Sequence, residues 1–502
     1  MSAALPSIIL SVPSNFELGN AGFAGGRTNE TQWELAERID YIRGKHNFKF
    51  GVEGNRTHVT DLSFGGFDPD AQKQNGSLGG AYAFSSLANF AMGLYDTYAQ
   101  SSGNPKFSFA VPYVGFYAQD SYQPWPRLTF DLGVREDFQI YPQPRENPAF
   151  PLTGQFPNQY QRIAPRFGFA WQAVNKTVVR GGFGMFYENF NGLNYRNAVI
   201  SNGLPSQQSS VSISYGQAPL VFPNKVSDPT LFSAPNISLV DPHFRDPYVL
   251  QSSLQLEREV FPETTLSLGT MWTHGIHLIS SSAYDMNLIP PTGTTTYIVC
   301  PPRTTQLPCA GRQVVLPNLD SGLLQEGRIN PNFSQINSLI SPGINNYNSF
   351  FVQLQRRFHD GLAIQTSYTL AKNRMSNGVD FNNQFDFRNT SALYLLDQRH
   401  RLTIAGVYEP FVGHDFHSRV LKASFSNLRI STVILFASGR PYAALLDSSP
   451  SGNTLNDSAA RQSTANSALG INGGGPSPAV GLNSLYGPWT EQMDLALARR
   501  FT

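Results

Sequence analysis

Apolar and polar residues alternate in short ribbons along most of this chain. From Leu128 onward, Leu128, Phe130, Leu132 and Val134 interleave with Thr129, Asp131, Gly133 and Arg135. A period of two puts one set on each face of a β-strand. Just upstream, Val114, Phe116 and Ala118 oppose Tyr113, Gly115, Tyr117, Gln119 and Ser121. Between the two ribbons lies Gln123-Pro124-Trp125-Pro126, whose prolines fix φ and withhold ladder donors, so a turn is expected there. The product is a hairpin with one greasy face and one polar, partly charged face.

The same unit recurs. Ribbons pair across Gly44-Lys45-His46, from about Trp33 to Arg56, and across the stretch from Ala173 to Lys176. Another pair turns between Val260 and Glu263, and a further one at His359-Asp360-Gly361, where Asp-Gly is a strong hairpin signal. Arg401 to Glu409 pairs with Asn427 to Ser438, and Met493 to Phe501 forms a last single ribbon. A short helix is expected around Ala81 to Tyr95. Further strand candidates lie near Phe107 to Phe109 and Gln313 to Leu316.

Connections within hairpins are mostly a few residues, whereas those between hairpins run to a few tens. A soluble sandwich has moderate loops at both ends, and a long structureless loop counts against a compact soluble domain. Membrane barrels of the outer-membrane type have short turns on one side and long loops on the other. The pattern therefore predicts an all-β fold: an antiparallel transmembrane β-barrel, partial, with about 12–14 strands, short periplasmic turns and long extracellular loops. Residues 1–32 read as an irregular N-terminal segment and 33–502 as the barrel domain. An odd strand count leaves an edge, and an open edge is costly in hydrocarbon, so the chain is expected to be a piece of a larger barrel.

Composition sharpens the choice of solvent. Charged residues make up 14% of the 502-residue chain, against about 25% in ordinary soluble proteins, while aromatics reach 12%. Low charge with many aromatics suits interfacial girdles. No apolar run approaches the ~20 residues of a membrane helix. Net charge is +1 with no basic block, so no electrostatic footprint for nucleic acid is present. The start, with Pro6 and Pro13 and no basic n-region, makes a poor signal peptide.

Candidate chemistry is sparse. Cys300 and Cys309 bracket a Pro- and Thr-rich loop; they are read as a local disulfide worth roughly 2–3 kcal/mol, or else as two free thiols. His274-x-x-His277 and His414-x-x-His417 lack the geometry of a metal pair on a strand or turn, and no metal or cofactor is expected. The glycines of Arg180-Gly-Gly-Phe-Gly lack dinucleotide spacing and are expected to face the lumen. Alternation assigns Asp131, Arg135, Asp137, Arg180, Arg357 and Arg401 to the lumen, because Arg or Lys on the lipid face costs about 2–4 kcal/mol at the midplane. Trp125, Trp171, Tyr187, Trp272, Tyr368 and Tyr408 are candidates for aromatic girdles at strand ends. No nucleophile accompanies the charged run Asp397, Arg399, His400 and Arg401, and no catalytic residue is assigned.

Several phrases resemble the β-barrel of the Oar-like TonB-dependent transporters. They are RGKHNFKFGVE from Arg43, YVGFYAQDSYQPWPRLTFDLGVRED from Tyr113, RIAPRFGFAW from Arg162 and KTVVRGGFGMFYEN from Lys176. DPYVLQSSLQLERE from Asp246, YNSFFVQLQRRFHDGLAIQTSYTLAK from Tyr347, DQRHRLTIAGVYE from Asp397 and ASGRPY from Ala437 continue the series. The resemblance implies an outer-membrane protein in contact with lipid, moving an unknown substrate with energy passed by the TonB complex through a plug. It also implies that signal peptide, plug and last strands lie outside this chain. Two other readings stay open: a plugless porin-like or adhesive surface barrel, and a soluble β-rich carbohydrate-binding protein or glycosidase.

Overall fold

The computed structural model describes residues 7–10, 16–18, 27–62, 80–102, 106–190, 192–204, 209–228, 231–232, 234–280, 284–287, 289, 294–300, 312–317, 328–376, 391–410, 420, 428–443, 454–456 and 482–499. Its frame is one 14-stranded sheet. In chain order the long strands are β1 (Arg27–Arg43), β2 (His46–Leu62), β3 (Lys106–Trp125), β4 (Leu128–Gln139), β5 (Ile163–Val174) and β6 (Thr177–Tyr187). They continue as β7 (Tyr248–Phe261), β8 (Thr264–Leu278), β9 (Gly343–His359), β10 (Leu362–Ser376), β11 (His400–Tyr408), β12 (Leu428–Ala437) and β13 (Thr490–Arg499). Each pairs antiparallel with its neighbours in sequence, and the two-residue strand Ala392–Leu393 joins the end of β10. Among the described residues no pairing joins β1 to β13.

Most hairpins turn where the sequence places them, but β3 runs on through Gln123 to Trp125 over a bulge, and its turn is Pro126-Arg127. Asp360 and Gly361 both adopt positive φ, 49° and 73°, the backbone that a two-residue hairpin twisting with its strands demands. Gly44, Lys176 and Glu263 also carry positive φ at the tight ends. The strands extend beyond the expected ribbons. β1 begins at Arg27, and Phe107 to Phe109 prove to be the start of β3 rather than a separate strand. Arg312–Pro317 does form a strand, but it pairs with Thr294–Cys300 outside the main sheet.

The register shows which way each face looks, because directly opposed residues share a face. Leu132 opposes Phe167, Phe167 opposes Phe183, and Val134 opposes Ala118, which opposes Phe50. This greasy face is open: Leu132 keeps 47% and Val134 45% of their surface exposed. A soluble sandwich or glycosidase would bury it, since large apolar side chains are normally removed from water. Continuous exposure of this kind marks a surface meant for an apolar medium. No helix among the described residues is long and apolar enough to cross a membrane.

The long connections are more structured than their composition suggests. Instead of a helix over Ala81 to Tyr95, Ala81–Phe84 pairs as a strand and only α1 (Leu87–Met92) is helical, capped by the Ser86 hydroxyl and by Gly93 at φ 71°. The helix is short because Tyr82 and Phe84 are claimed by a five-stranded sheet that also uses Ser7–Leu10, Phe16–Leu18, Thr97–Ser102 and Ser209–Ser214. A second helix, α2 (Gly192–Ile200), packs Tyr195 and Ala198 against Phe107, Phe109 and Val111 of β3. In a third core, Asn236–Val240 pairs parallel with Gln335–Leu339 and buries Ile237, Leu239, Phe333 and Ile336.

One expectation needs correction. Gly182 and Gly184 oppose inner-face residues, but Gly181 opposes Phe169 and Leu254 and so lies on the outer face. A Cβ there would come 2.5 Å from the Phe169 ring. Gly181 is a gap that this ring fills, a role set by the neighbouring strand and invisible in local spacing.

Candidate functional site

Among the described residues, loop segments carrying Tyr141, Phe190, Tyr195 and Phe244 pack onto Phe107, Phe109 and Val111 at one end of the polar face, which is therefore the inner one. On that face the register lines up Glu53 of β2, Gly115 of β3 and Asp137 of β4. Gly115 leaves the space where the others meet: an added Cβ would lie 2.7 Å from both Arg135 Nη2 and Asp137 Oδ1. Arg135 Nε donates to Asp137 Oδ1 at 2.8 Å, and Nη2 donates to the Tyr113 hydroxyl at 2.6 Å and to Glu53 Oε1. The Tyr113 hydroxyl donates in turn to Asp137 Oδ1 at 2.6 Å. Two carboxylates thus share one guanidinium, which gives the network a negative surplus and holds it through charge-assisted bonds.

Beside this network, toward the loops, lies a cavity of about 460 Å³ between β1, β2, β3 and α2. Gln32, Asn55, Thr57 and Tyr113 present amides and hydroxyls to it; Phe107, Phe109, Tyr141 and Phe190 supply aromatic surface. Its charged groups are Glu30 and Arg196, and Arg196 is itself buried with its guanidinium 5.6 Å from the Phe107 ring centroid. Tyr141 donates to the Phe190 carbonyl at 2.7 Å, and burial pushes its hydroxyl well above the ordinary tyrosine range, so it stays neutral.

A second buried group fastens the roots of two loops, the β4–β5 and β6–β7 connections. Arg162, 1% exposed in its side chain, places Nε 3.3 Å from Asp246 Oδ2. Its Nη2 donates to the Glu188 carbonyl at 2.5 Å and to Asn189 Oδ1 at 3.2 Å, while the guanidinium lies 5.7 Å from the Tyr187 ring centroid. Burial raises the Asp246 carboxyl to about 6, with Arg162 opposing that rise and Glu188 adding to it.

The other expected residues are dispersed. Asp131 accepts from Ser121 at 2.5 Å, and Arg180 is exposed between Ala170 and Gln255. Arg357 sits at a tight turn, 4.0 Å from Glu263, and Arg401 donates to Gln398 at 3.1 Å. Of the aromatics, Trp125 and Trp171 flank Leu128 at the turn end, where Tyr408 opposes Leu362. Trp272 stacks on His274, Tyr187 meets Tyr248 at 5.4 Å, and the Tyr368 hydroxyl pairs with His400 Nδ1 at 2.9 Å. Cys309 lies outside the described residues, as do His414 and His417.

Local reading did not single out Glu53, Arg162 or Asp246, nor the Asp120 carboxylate, which lies 2.7 Å from His46 Nδ1 on the outer face near the turn. For Asp120 a signal existed, since the alternation Val114, Phe116, Ala118 reaches it in register.

A sheet greasy outside and polar inside, with short turns at one end and folded loops at the other, defines a β-barrel protein of the bacterial outer membrane. The chain belongs to the outer membrane beta barrel domain family, whose model matches residues 2–502. In fold it is similar to the outer membrane transporter YddB from Escherichia coli, with TM-score 0.50 and 11% identity over 91% of this chain and 50% of that one. The FrpB iron transporter from Neisseria meningitidis matches with TM-score 0.43 and 10% identity over 82% of this chain and 44% of that one. The ferric-catecholate import receptor Fiu from K12 E. coli matches with TM-score 0.40 and 9% identity, over 95% and 48% of the two chains. This chain therefore spans about half the length of these solved structures. No curated protein sequence matches it.

Proposed function

We propose that this chain is part of an energy-coupled outer-membrane transporter of the Oar-like TonB-dependent group. A substrate bound among the loops would pass along the inner face, driven by the TonB complex acting through a plug domain outside this chain. The observation that carries the reading is the cavity between the inner face and α2, next to the Glu53–Tyr113–Arg135–Asp137 network. A passive pore has no need of folded loops packed down on its polar face, whereas a transporter must hold its cargo before moving it. The test is cross-linking in cells that produce the protein, combined with proteomic identification of the partners. Recovery of TonB supports the reading. Its absence, with permeability unaffected by collapse of the proton-motive force, would point instead to a plugless porin-like or adhesive barrel.

A further inference from the structure

We infer that the cavity between β1, β2, β3 and α2 takes an uncharged, hydroxylated ring ligand, a short neutral oligosaccharide. This inference rests on the transport reading and names the substrate class for it. Three features of the cavity point the same way. Its volume, about 460 Å³, falls within the ~300–1,000 Å³ of small-ligand sites.

Its polar groups are of the double-natured kind. Gln32 opposes Thr57 and Asn55 opposes Tyr113, so amides and hydroxyls from three strands stand side by side. Gln32, Asn55 and Thr57 can each both donate and accept, which is what a sugar hydroxyl requires of its partner, whereas the Tyr113 hydroxyl is already held by Arg135 and Asp137. The apolar wall is aromatic: Phe107 and Phe109 stack at 5.8 Å with 12° between their planes. Their faces are taken by each other, by Arg196 over Phe107 and by Tyr195 against Phe109. The wall therefore offers a pyranose C–H face apolar surface to pack on rather than an open π stack.

Charge excludes the obvious competitor. A metal chelate bearing carboxylates or catecholates needs surplus positive charge at its site. Here Arg196 is buried against Phe107, Glu30 lies in the same lining, and the neighbouring network has two carboxylates to one guanidinium. An anionic ligand would meet three carboxylates, Glu30, Glu53 and Asp137, against the two guanidiniums of Arg135 and Arg196, whereas a neutral one is indifferent to that balance.

The test is saturation-transfer NMR on the full chain in detergent micelles, with maltotriose, cellotriose and triacetylchitotriose as probes and ferric citrate and trilysine as competitors. At least one neutral trisaccharide should receive saturation at its ring protons, undisplaced by either competitor. The isosteric Thr57→Val, and separately Asn55→Leu, should each weaken that binding about tenfold while the chain keeps its folded gel mobility. Silence from all three sugars, binding undiminished in both variants, or displacement by ferric citrate or trilysine each overturns the inference. Equilibrium binding needs no energised membrane, so failure of the transport reading would leave this result standing, and the reverse also holds.

Discussion

Arg162 and Asp246 meet across the roots of two loops, Nε to Oδ2 at 3.3 Å, with the arginine side chain 1% and the aspartate 10% exposed. Arg162 closes the β4–β5 connection, and Asp246 closes the one from β6 to β7. Breaking such a pair from one side strands a charge in a dry site, which typically costs about 3–5 kcal/mol. Arg162→Met and Asp246→Leu should each loosen the loops by that order, and the double variant should cost less than the sum. Limited proteolysis of the loops in a double-mutant cycle measures it; strict additivity would show that the two groups do not act as a pair.

The same carboxylate gives a pH dependence of defined sign. Asp246 titrates at about 6 in the fold, while an unfolded aspartate titrates near ~3.9. Between those values the folded state holds more protons than the unfolded one, so stability from this group falls as pH rises through the window. Thermal unfolding in detergent should therefore show the native protein gaining stability from pH 7 to pH 5, by more than Asp246→Asn does. Equal slopes in the two proteins would remove Asp246 from the account.

The outer face makes a directional demand. Leu132→Arg introduces a charge on the lipid side, with an expected cost of about 2–4 kcal/mol if the site is near the midplane. Its neighbour Asp131, on the other face, should accept Asn at a cost below about 1 kcal/mol, since only its bond from Ser121 is altered. Urea titration of folding into vesicles, read by heat-modifiable gel mobility, compares them. Equal losses at the two positions would contradict the assignment of faces.

Gly181 is the sharpest packing test. Valine there must displace the Phe169 ring, and overpacking of this kind costs about 1–3 kcal/mol. Pairing Gly181→Val with Phe169→Ala should recover part of the loss in the same folding assay. Absence of any recovery would mean that the glycine serves backbone conformation instead.

Much of the frame was legible along the chain. Alternation at Leu128 to Val134, the Asp360-Gly361 turn and the rhythm of short and long connections are local signals, because strand faces and tight turns are set by neighbouring residues. They suffice to place Leu132 outside and Asp131 inside, and from there to predict a barrel in a membrane. The loops were another matter. Tyr82 joins a strand because Ser7–Leu10 lies beside it, and α2 finds its place because Phe107 and Phe109 lie beneath it. Arg135 was visible as a charge, but its partner Glu53 stands 82 residues away. Arg162 and Asp246 are likewise distant, and nothing in either one's neighbours announces the other. The amino-acid sequence by itself determined which solvent each face of a strand meets, since that follows from a period of two. Only the tertiary structure decided which distant loops share a core and where the cavity and the buried ion pair form, because those depend on contacts that no local periodicity encodes.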